Sequence, residues 1–227
     1  MSSSVRELVF ERMDEKPVHF EPGQWLNLMV KKADGTEAKR AYSIASAPRG
    51  DSRFELAVTR VDGGEASHVL HDLPVGQSVR AIGPSGLFTR GAHEESSALF
   101  IGTGTGVTPL RSMLLAATER AETSNGRLWL LFGVRSEADI LYRDELEKLA
   151  ATHKNVRLFI SLSRPEAGWK GLAGYVQSHV RDLWTALGDP HAHAYICGLE
   201  RMVKSVKDVL RNDLGVGRKQ VHQERYD

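Results

Sequence analysis

The sequence predicts two domains: an antiparallel β-barrel over residues 1–94, followed by an α/β domain with a parallel sheet over residues 95–227. Three observations predict this. Residues 1–94 break into closely spaced β-type runs divided by Gly, Pro and Asp, the pattern of a small antiparallel sheet or barrel. From Ala98 the period changes, and short apolar strands alternate with amphipathic helices, the signature of a parallel sheet covered on both faces. The chain is 227 residues long, which permits one large domain or two of roughly 100 residues each, and the change of pattern selects two.

The elements follow in order. Val5 to Arg12 alternates around Leu8 and Phe10 and reads as the first strand. Pro22-Gly23 is a turn before the strand Trp25 to Val30; strands at Arg40 to Ala45, Arg53 to Val61 and Gln77 to Ile82 complete the set, with one short helix at Ala66 to Leu73. Gly91-Ala92-His93-Glu94-Glu95-Ser96 reads as the link between the halves. Beyond it, strands are expected at Ala98–Gly102, Leu128–Phe132, Val156–Leu162, Ala194–Cys197 and Gln220–Tyr226. Helices are expected at Val107–Glu119, Arg143–Ala151, Tyr175–Trp184 and Leu199–Asn212. The first of these places Leu110, Met113, Leu114 and Ala117 on one face.

Composition narrows the function. Lys+Arg number 30 against 29 Asp+Glu, a net charge of +1, whereas a nucleic-acid binder usually carries a large basic excess. A single Cys excludes an intramolecular disulfide, a four-Cys iron–sulfur cluster and a Cys-rich zinc site. The His residues, among them His68, His71, His191 and His193, show no ligand spacing, so no metal is expected. No apolar run approaches the ~20 residues of a membrane span, and Met1 to Glu7 lacks a basic-then-apolar leader pattern. A cytoplasmic protein without membrane attachment is the expectation.

The strongest local signal is Gly102-Thr103-Gly104-Thr105-Gly106-Val107-Thr108-Pro109, set between a strand and a helix. Glycines let backbone N–H groups approach a pyrophosphate, and the helix N-terminus adds a favourable dipole. Thr108 is expected to cap the helix and Pro109 to occupy its first position. Pro109 stands where the usual dinucleotide fingerprint has its third Gly, so this is a variant of it.

Arg40-Ala41-Tyr42-Ser43 resembles the flavin-binding R-x-Y-S motif of the ferredoxin–NADP reductase superfamily. Six further features stand in that family's order: Pro22-Gly23-Gln24-Trp25, Gly63-Gly64-Glu65-Ala66-Ser67, Gly83-Pro84-Ser85-Gly86-Leu87-Phe88, the Gly102 loop, Ser163-Arg164-Pro165 and Cys197-Gly198. The resemblance covers essentially the whole chain and implies an N-terminal FAD-binding barrel and a C-terminal NAD(P)-binding domain. It implies that Arg40 pairs with the flavin phosphate in a forked geometry that Lys lacks, that Tyr42 lies against the ring or ribityl chain, and that Ser43 sits near N(5). Ala66 and Ser67 then resemble a second pyrophosphate contact.

Cys197 has two readings: a buried small hydrophobe, or, by the resemblance, the residue that positions nicotinamide at the carboxyl end of a parallel strand. The tail likewise reads either as a frayed polar end or as the family's site, with Tyr226 the aromatic residue that stacks on flavin and Glu224 a carboxylate near it. Asp227 departs from plant-type members, which end on the aromatic residue.

For the coenzyme, Arg135 and Ser136 suit an adenosine 2′-phosphate, while Glu137 and Asp139 oppose it. Ser163 and Arg164, with Lys170 and then Tyr175-Val176-Gln177, resemble the plant-type arrangement that holds the 2′-phosphate and stacks adenine, with Pro165 as an insertion. NADPH is expected over NADH.

The implied activity is an FAD-dependent NAD(P)H oxidoreductase delivering single electrons to a ferredoxin- or flavodoxin-like acceptor. The alternatives are an oxygenase reductase component, a reductase of free flavin, quinone or ferric chelate, and a non-catalytic flavin-binding electron-transfer or sensor subunit. Lys31-Lys32 with Lys39 reads as an acceptor-docking patch or a solvated turn.

Overall fold

The computed structural model describes residues 2, 4–32, 34–91, 94–119 and 126–226. Its N-terminal part carries β1 (Val5–Glu11), β2 (Trp25–Lys31), β3 (Glu37–Ser43), β4 (Arg53–Thr59), the helix α1 (Glu65–His71) and β5 (Arg80–Ser85). These make two antiparallel sheets, β1-β4 and β3-β2-β5, joined by a bridge between Ile44 and Leu56. The apolar side chains Leu8, Leu26, Leu28, Ile44, Leu56 and Leu70 fill the space between them. Burial of that apolar area is what holds the five short strands together.

Several boundaries differ from the sequence expectation: β3 begins at Glu37 rather than Arg40, β4 ends at Thr59 rather than Val61, β5 ends at Ser85 rather than Ile82, and α1 spans Glu65–His71. The third strand ends at Ser43 rather than Ala45, because Ile44 to Ala47 turn inward and cross between the sheets, all four buried. The fifth strand begins at Arg80 rather than Gln77, because Gln77 N–H closes a turn on the Pro74 carbonyl. Gly23 is required where it stands. Its φ is +101°, and a Cβ there would lie 2.1 Å from the Phe88 carbonyl oxygen.

The C-terminal part runs β6 (Ala98–Thr103), α2 (Val107–Thr118), β7 (Leu128–Val134), α3 (Arg143–Thr152), β8 (Val156–Leu162), β9 (Leu172–Ala173), α4 (Val180–Leu187), β10 (His193–Leu199), α5 (Glu200–Asp208) and β11 (Val221–Tyr226). Its sheet has the order β11-β10-β6-β7-β8-β9, parallel throughout. One face packs Phe100, Leu110, Met113, Leu130 and Phe132; the other packs Leu99, Ile101, Leu131, Val203 and Val206. The helix expected at Tyr175–Trp184 is split. A short 3-10 turn at Val176–Ser178 precedes α4, and His179 bonds back to the Ala173 carbonyl at 3.1 Å. The helix expected to reach Asn212 is α-helical to Asp208 and widens into a π-type turn over Val209–Asp213.

β6 is where chain order reverses, with β7 on one side and β10 on the other. Ligands of open parallel sheets bind outside the carboxyl ends of the strands at this point. The N-terminal part packs against the same region, since Val5, Ala57 and Phe88 belong to the cluster of Phe100 and Leu110. Of the joining segment 91–96, residues 92 and 93 lie outside the described residues.

Candidate active site between the domains

The carboxyl ends of β10 and β11 bring five side chains together. Cys197, Glu224 and Tyr226 project from these neighbouring strands, with Cys197 paired in register to Glu224. Ser43 arrives from the end of β3 and Thr108 from the first turn of α2. The Tyr226 hydroxyl donates to Ser43 Oγ at 2.6 Å, and Ser43 donates to Glu224 Oε2 at 3.2 Å. The Tyr226 hydroxyl also lies 3.4 Å from Thr108 Oγ1. Residues 183 positions apart thus share one hydrogen-bond network.

Burial sets the charge states here. It pushes the Glu224 carboxyl up to about 7, with the Ser43 hydrogen bond opposing. It raises the Cys197 thiol well above its usual range, and the neighbouring Glu224 adds to this against a hydrogen bond from Tyr226. The Tyr226 phenol is raised by burial too, then by Cys197 and Glu224. A fully buried neutral thiol is a packing and orienting group, since a nucleophile needs the thiolate.

The glycine loop adjoins this network. A Cβ on Gly106 would lie 2.3 Å from the Cys197 carbonyl, and one on Gly198 would lie 2.4 Å from Thr103 Oγ1. Gly102 packs on Leu110, and Gly104 has φ +54° with open space above it, so the loop presents bare backbone there. Thr103 Oγ1 is buried without a hydrogen-bond partner among the described residues. This cradle fits a nicotinamide-nucleotide pyrophosphate. The capping expectation for Thr108 is corrected. The loop winds into a 3-10 turn at Gly104–Gly106 that passes directly into α2, so Thr108 is the second helical residue, and its hydroxyl bonds to the Thr105 carbonyl at 2.8 Å. Pro109 is the third helical residue, still within the turn whose N–H groups lack helical partners.

On the N-terminal part, Arg40 borders a cavity of about 590 Å³ lined also by Lys32, Lys39, Gly63, Gly64 and Ala66. Arg40 is exposed, donates to the Lys39 carbonyl at 2.9 Å, and pairs with no carboxylate among the described residues. Lys32, Lys39 and Arg40 outnumber Glu37 and Glu65 around this cavity, and with its bare glycine backbone it fits the FAD pyrophosphate. Ser67 differs from its expectation in one respect. Its hydroxyl is occupied, donating to the Gly64 carbonyl at 2.7 Å and accepting from Val61 N–H at 3.0 Å, so it shapes the turn instead of facing the cavity. Tyr42 is half-buried one residue before Ser43, and burial raises its phenol against the pull of Arg40.

At the far edge of the sheet, Ser163 N–H bonds to the Val134 carbonyl and Arg164 N–H to the Arg135 carbonyl, at 3.0 and 2.9 Å. Arg135 and Arg164 therefore leave the sheet side by side. Neither they nor Lys170 form an ion pair among the described residues, and Tyr175 is 68% exposed. The two opposing carboxylates are occupied elsewhere. Glu137 binds Arg143 at 2.9 Å, and Asp139 accepts from the N–H and hydroxyl of Ser136 at 3.0 and 2.8 Å. Ser136 is thereby engaged in its own turn.

Sequence reading missed Arg111, Ser112, Ser46 and Glu55, which join the two domains behind Ser43. The one available signal was an Arg-Ser pair inside the apolar helix α2, whose other faces turn out to be buried as well. Asp227 lies outside the described residues, which include no group of three or more His, Cys, Asp or Glu placed to hold a metal and no helix long and apolar enough to cross a membrane.

Residues 1–89 match the oxidoreductase FAD-binding domain and residues 100–208 the oxidoreductase NAD-binding domain. The chain is 54% identical to ferredoxin–NADP reductase B of Sorangium cellulosum, over all of this chain and 93% of that protein. It is 30% identical to the phenol hydroxylase P5 protein of Acinetobacter pittii, covering 93% of this chain but 59% of that protein. Among solved structures, an Amycolatopsis cytochrome P450 reductase, GcoB, aligns at TM-score 0.84 and 28% identity, over 99% of this chain and 66% of that one.

Proposed function

Because the chain belongs to the ferredoxin–NADP reductase superfamily, we propose that it carries electrons from NADPH through FAD to a ferredoxin- or flavodoxin-like protein. The chain is an oxidoreductase of FAD and nicotinamide nucleotide, and the proposal concerns its acceptor, its coenzyme preference and its residues. The observation that carries it is the network of Ser43, Glu224 and Tyr226 beside Cys197, built from both domains at the reversal point of the sheet. Residues 1–94 form the FAD domain and 95–227 the nicotinamide domain in this reading. When bound, FAD supplies hydride acceptance from the nicotinamide and release of single electrons.

The chain's own groups bind, orient and manage protons. Arg40 and Lys39 neutralise the flavin phosphates, the N–H groups at Ala66 add donors, and Tyr42 flanks the ring or ribityl chain. Ser43 holds a hydroxyl at the reacting edge, fixed by Tyr226 on one side and Glu224 on the other. Glu224, held near 7, releases or keeps a proton close to neutral pH. Gly102, Thr103, Gly104, Gly106, Thr108 and Pro109 cradle the nucleotide pyrophosphate, and Gly198 lets it approach. Cys197 would lie beside the bound nicotinamide ring and help to orient it.

Arg164 and Arg135 meet the 2′-phosphate, with Ser163 and Lys170 beside them and Tyr175 covering adenine. The diversion of Glu137 and Asp139 to Arg143 and Ser136 supports NADPH over NADH. The printed name of the Sorangium relative supports ferredoxin as acceptor. A second reading, a reductase feeding an oxygenase, is favoured by the likeness to the phenol hydroxylase protein and the P450 reductase, although the chain spans 59% of the former.

One set of measurements tests the proposal. Heat-released cofactor should chromatograph as FAD, and NADPH should give the higher kcat/KM. Arg164→Ala should raise KM for NADPH about tenfold, the scale of a charge-assisted hydrogen bond, and barely change it for NADH. A preference for NADH, or equal losses with both coenzymes, removes the phosphate site. Turnover with an oxygenase component but not with ferredoxin or flavodoxin selects the second reading.

A further inference from the structure

We propose that Arg111 and Ser112 are positioning residues for hydride transfer: through them α2 clamps residues 45 and 46, and with them Ser43, onto the carboxyl edge of the parallel sheet.

Ser43 acts at the site only if its hydroxyl stays within reach of Tyr226 and Glu224, which belong to the other domain. The backbone just beyond it is fixed from α2. Arg111 Nη1 donates to the Ala45 carbonyl at 2.8 Å and to Glu55 Oε2 at 2.7 Å. Ser112 Oγ donates to the Ser46 carbonyl at 2.7 Å, with both residues buried. On the other side, Arg111 binds Glu145 of α3 through Nε and Nη2, a two-pronged pairing. Its guanidinium also lies 4.2 Å from the Tyr142 ring centroid.

The rest of the segment is tied down as well. Ala45 N–H bonds to the Glu55 carbonyl at 2.8 Å, and Ser46 Oγ accepts from Glu55 N–H at 3.2 Å. The clamp is therefore a buried guanidinium and a buried hydroxyl whose partners are all paired with them, and it holds one geometry. Arg111 and Ser112 stand three and four residues after Thr108 on the same helix. Little more than one turn of α2 thus sets Thr108 at the Tyr226 hydroxyl and fixes the chain that delivers Ser43. Lys at 111 would supply one point of charge where four directed N–H bonds are made.

Among the described residues the clamp makes no hydrogen bond to Cys197 or to the Gly102 loop, so a change at Cys197 reports movement of α2 or of the segment carrying Ser43 and not loss of a direct bond. Ser112→Ala removes no charge and leaves the ion pairs in place. Arg111→Met is the harsher variant, because it removes the shared cation between Glu55 and Glu145 and leaves Glu55 with Arg49 alone.

Two readouts decide. The first uses flavin-free protein, well below its unfolding temperature: the rate at which a thiol reagent modifies Cys197, the chain's single cysteine. Losing one hydrogen bond should favour the opened interface roughly fivefold in Ser112→Ala, and more in Arg111→Met. The second rests on the proposed activity: the limiting rate of flavin reduction at saturating nucleotide. It should fall five- to tenfold in Ser112→Ala while flavin content and nucleotide affinity stay within about twofold. If thermal stability drops while thiol reactivity and limiting rate match the wild type, the clamp is structural and the proposal is wrong. If wild type is reduced by neither nucleotide, the functional reading fails instead, and thiol reactivity still decides the clamp.

Discussion

The two domains differ in what their sheets cover. The parallel sheet is buried on both faces: β6 and β7 have almost no exposed residue, and a separate apolar cluster packs on each side. The β3-β2-β5 sheet is covered on one side only, with four of the six residues of β5 exposed and β3 buried at Ala38 and Ser43 alone. A sheet closed on both faces can offer a ligand only its strand ends, where its loops are bare glycine backbone. A sheet with an open edge offers the side chains of its edge strand, and Arg40 and Tyr42 stand on the edge strand β3, opposite Leu28 and Leu26. The first is built to hold position and the second to hold contact area.

The largest test of that contrast is stability. Phe100 sits in the middle of β6, fully buried and stacked on Tyr195 with ring centroids 5.5 Å apart. Phe100→Ala should cost about 3–5 kcal/mol in urea denaturation. Ile82 of β5 is 49% exposed, and Ile82→Ala should stay within about 0.5 kcal/mol. Comparable losses from the two would break the contrast.

The next effect appears where the domains meet. Cys197 belongs to the closed sheet but packs beside groups that meet the open one. Cys197→Ser should lower the limiting rate of flavin reduction about 10²-fold, the cost of displacing a positioning contact. Bound FAD should remain, because the residue lies on the nucleotide side. Stopped-flow reduction at saturating NADPH measures this; an unchanged limiting rate would make Cys197 a packing residue only.

The same contrast explains which parts were legible in the sequence. The Gly102 loop and Arg40-Ala41-Tyr42-Ser43 are local patterns, each written in consecutive residues, so they could be read directly. The Arg111–Glu55 and Ser112–Ser46 contacts join residues 56 and 66 positions apart, and no local period records such a pairing. Helix α2 shows how a local rule misleads. Its apolar stripe suggested one buried face, yet the N-terminal domain covers the opposite face, which buries Arg111 and Ser112. Thr108 was a reasonable capping residue by type, but the helix starts at Val107, where its period placed it, and the 3-10 turn runs directly into it, so Thr108 lies inside the first turn. The last strand was readable as a strand, whereas the placement of Glu224 and Tyr226 against Ser43 depends on tertiary packing.

The smallest expected effect concerns the carboxylate that both domains surround. Burial raises Glu224 to about 7 from an ordinary 4.5, so between these values the folded protein binds a proton that the unfolded chain has released. Stability therefore falls as pH rises through this window, and the deficit is complete above about 7. Below about 4.5 both states are protonated and the residue contributes no pH dependence. Glu224→Gln carries no such proton, so the variant should gain on wild type between pH 5 and pH 8. Glu224 is half-buried, and solvent screening trims the gain to roughly 1–2 kcal/mol. Urea midpoints of the two proteins at both pH values measure it. A gain as pH rises places the carboxyl in the desolvated pocket between the sheets. A loss would mean that the charged form is the one the folded site favours, with the Ser43 hydrogen bond outweighing burial.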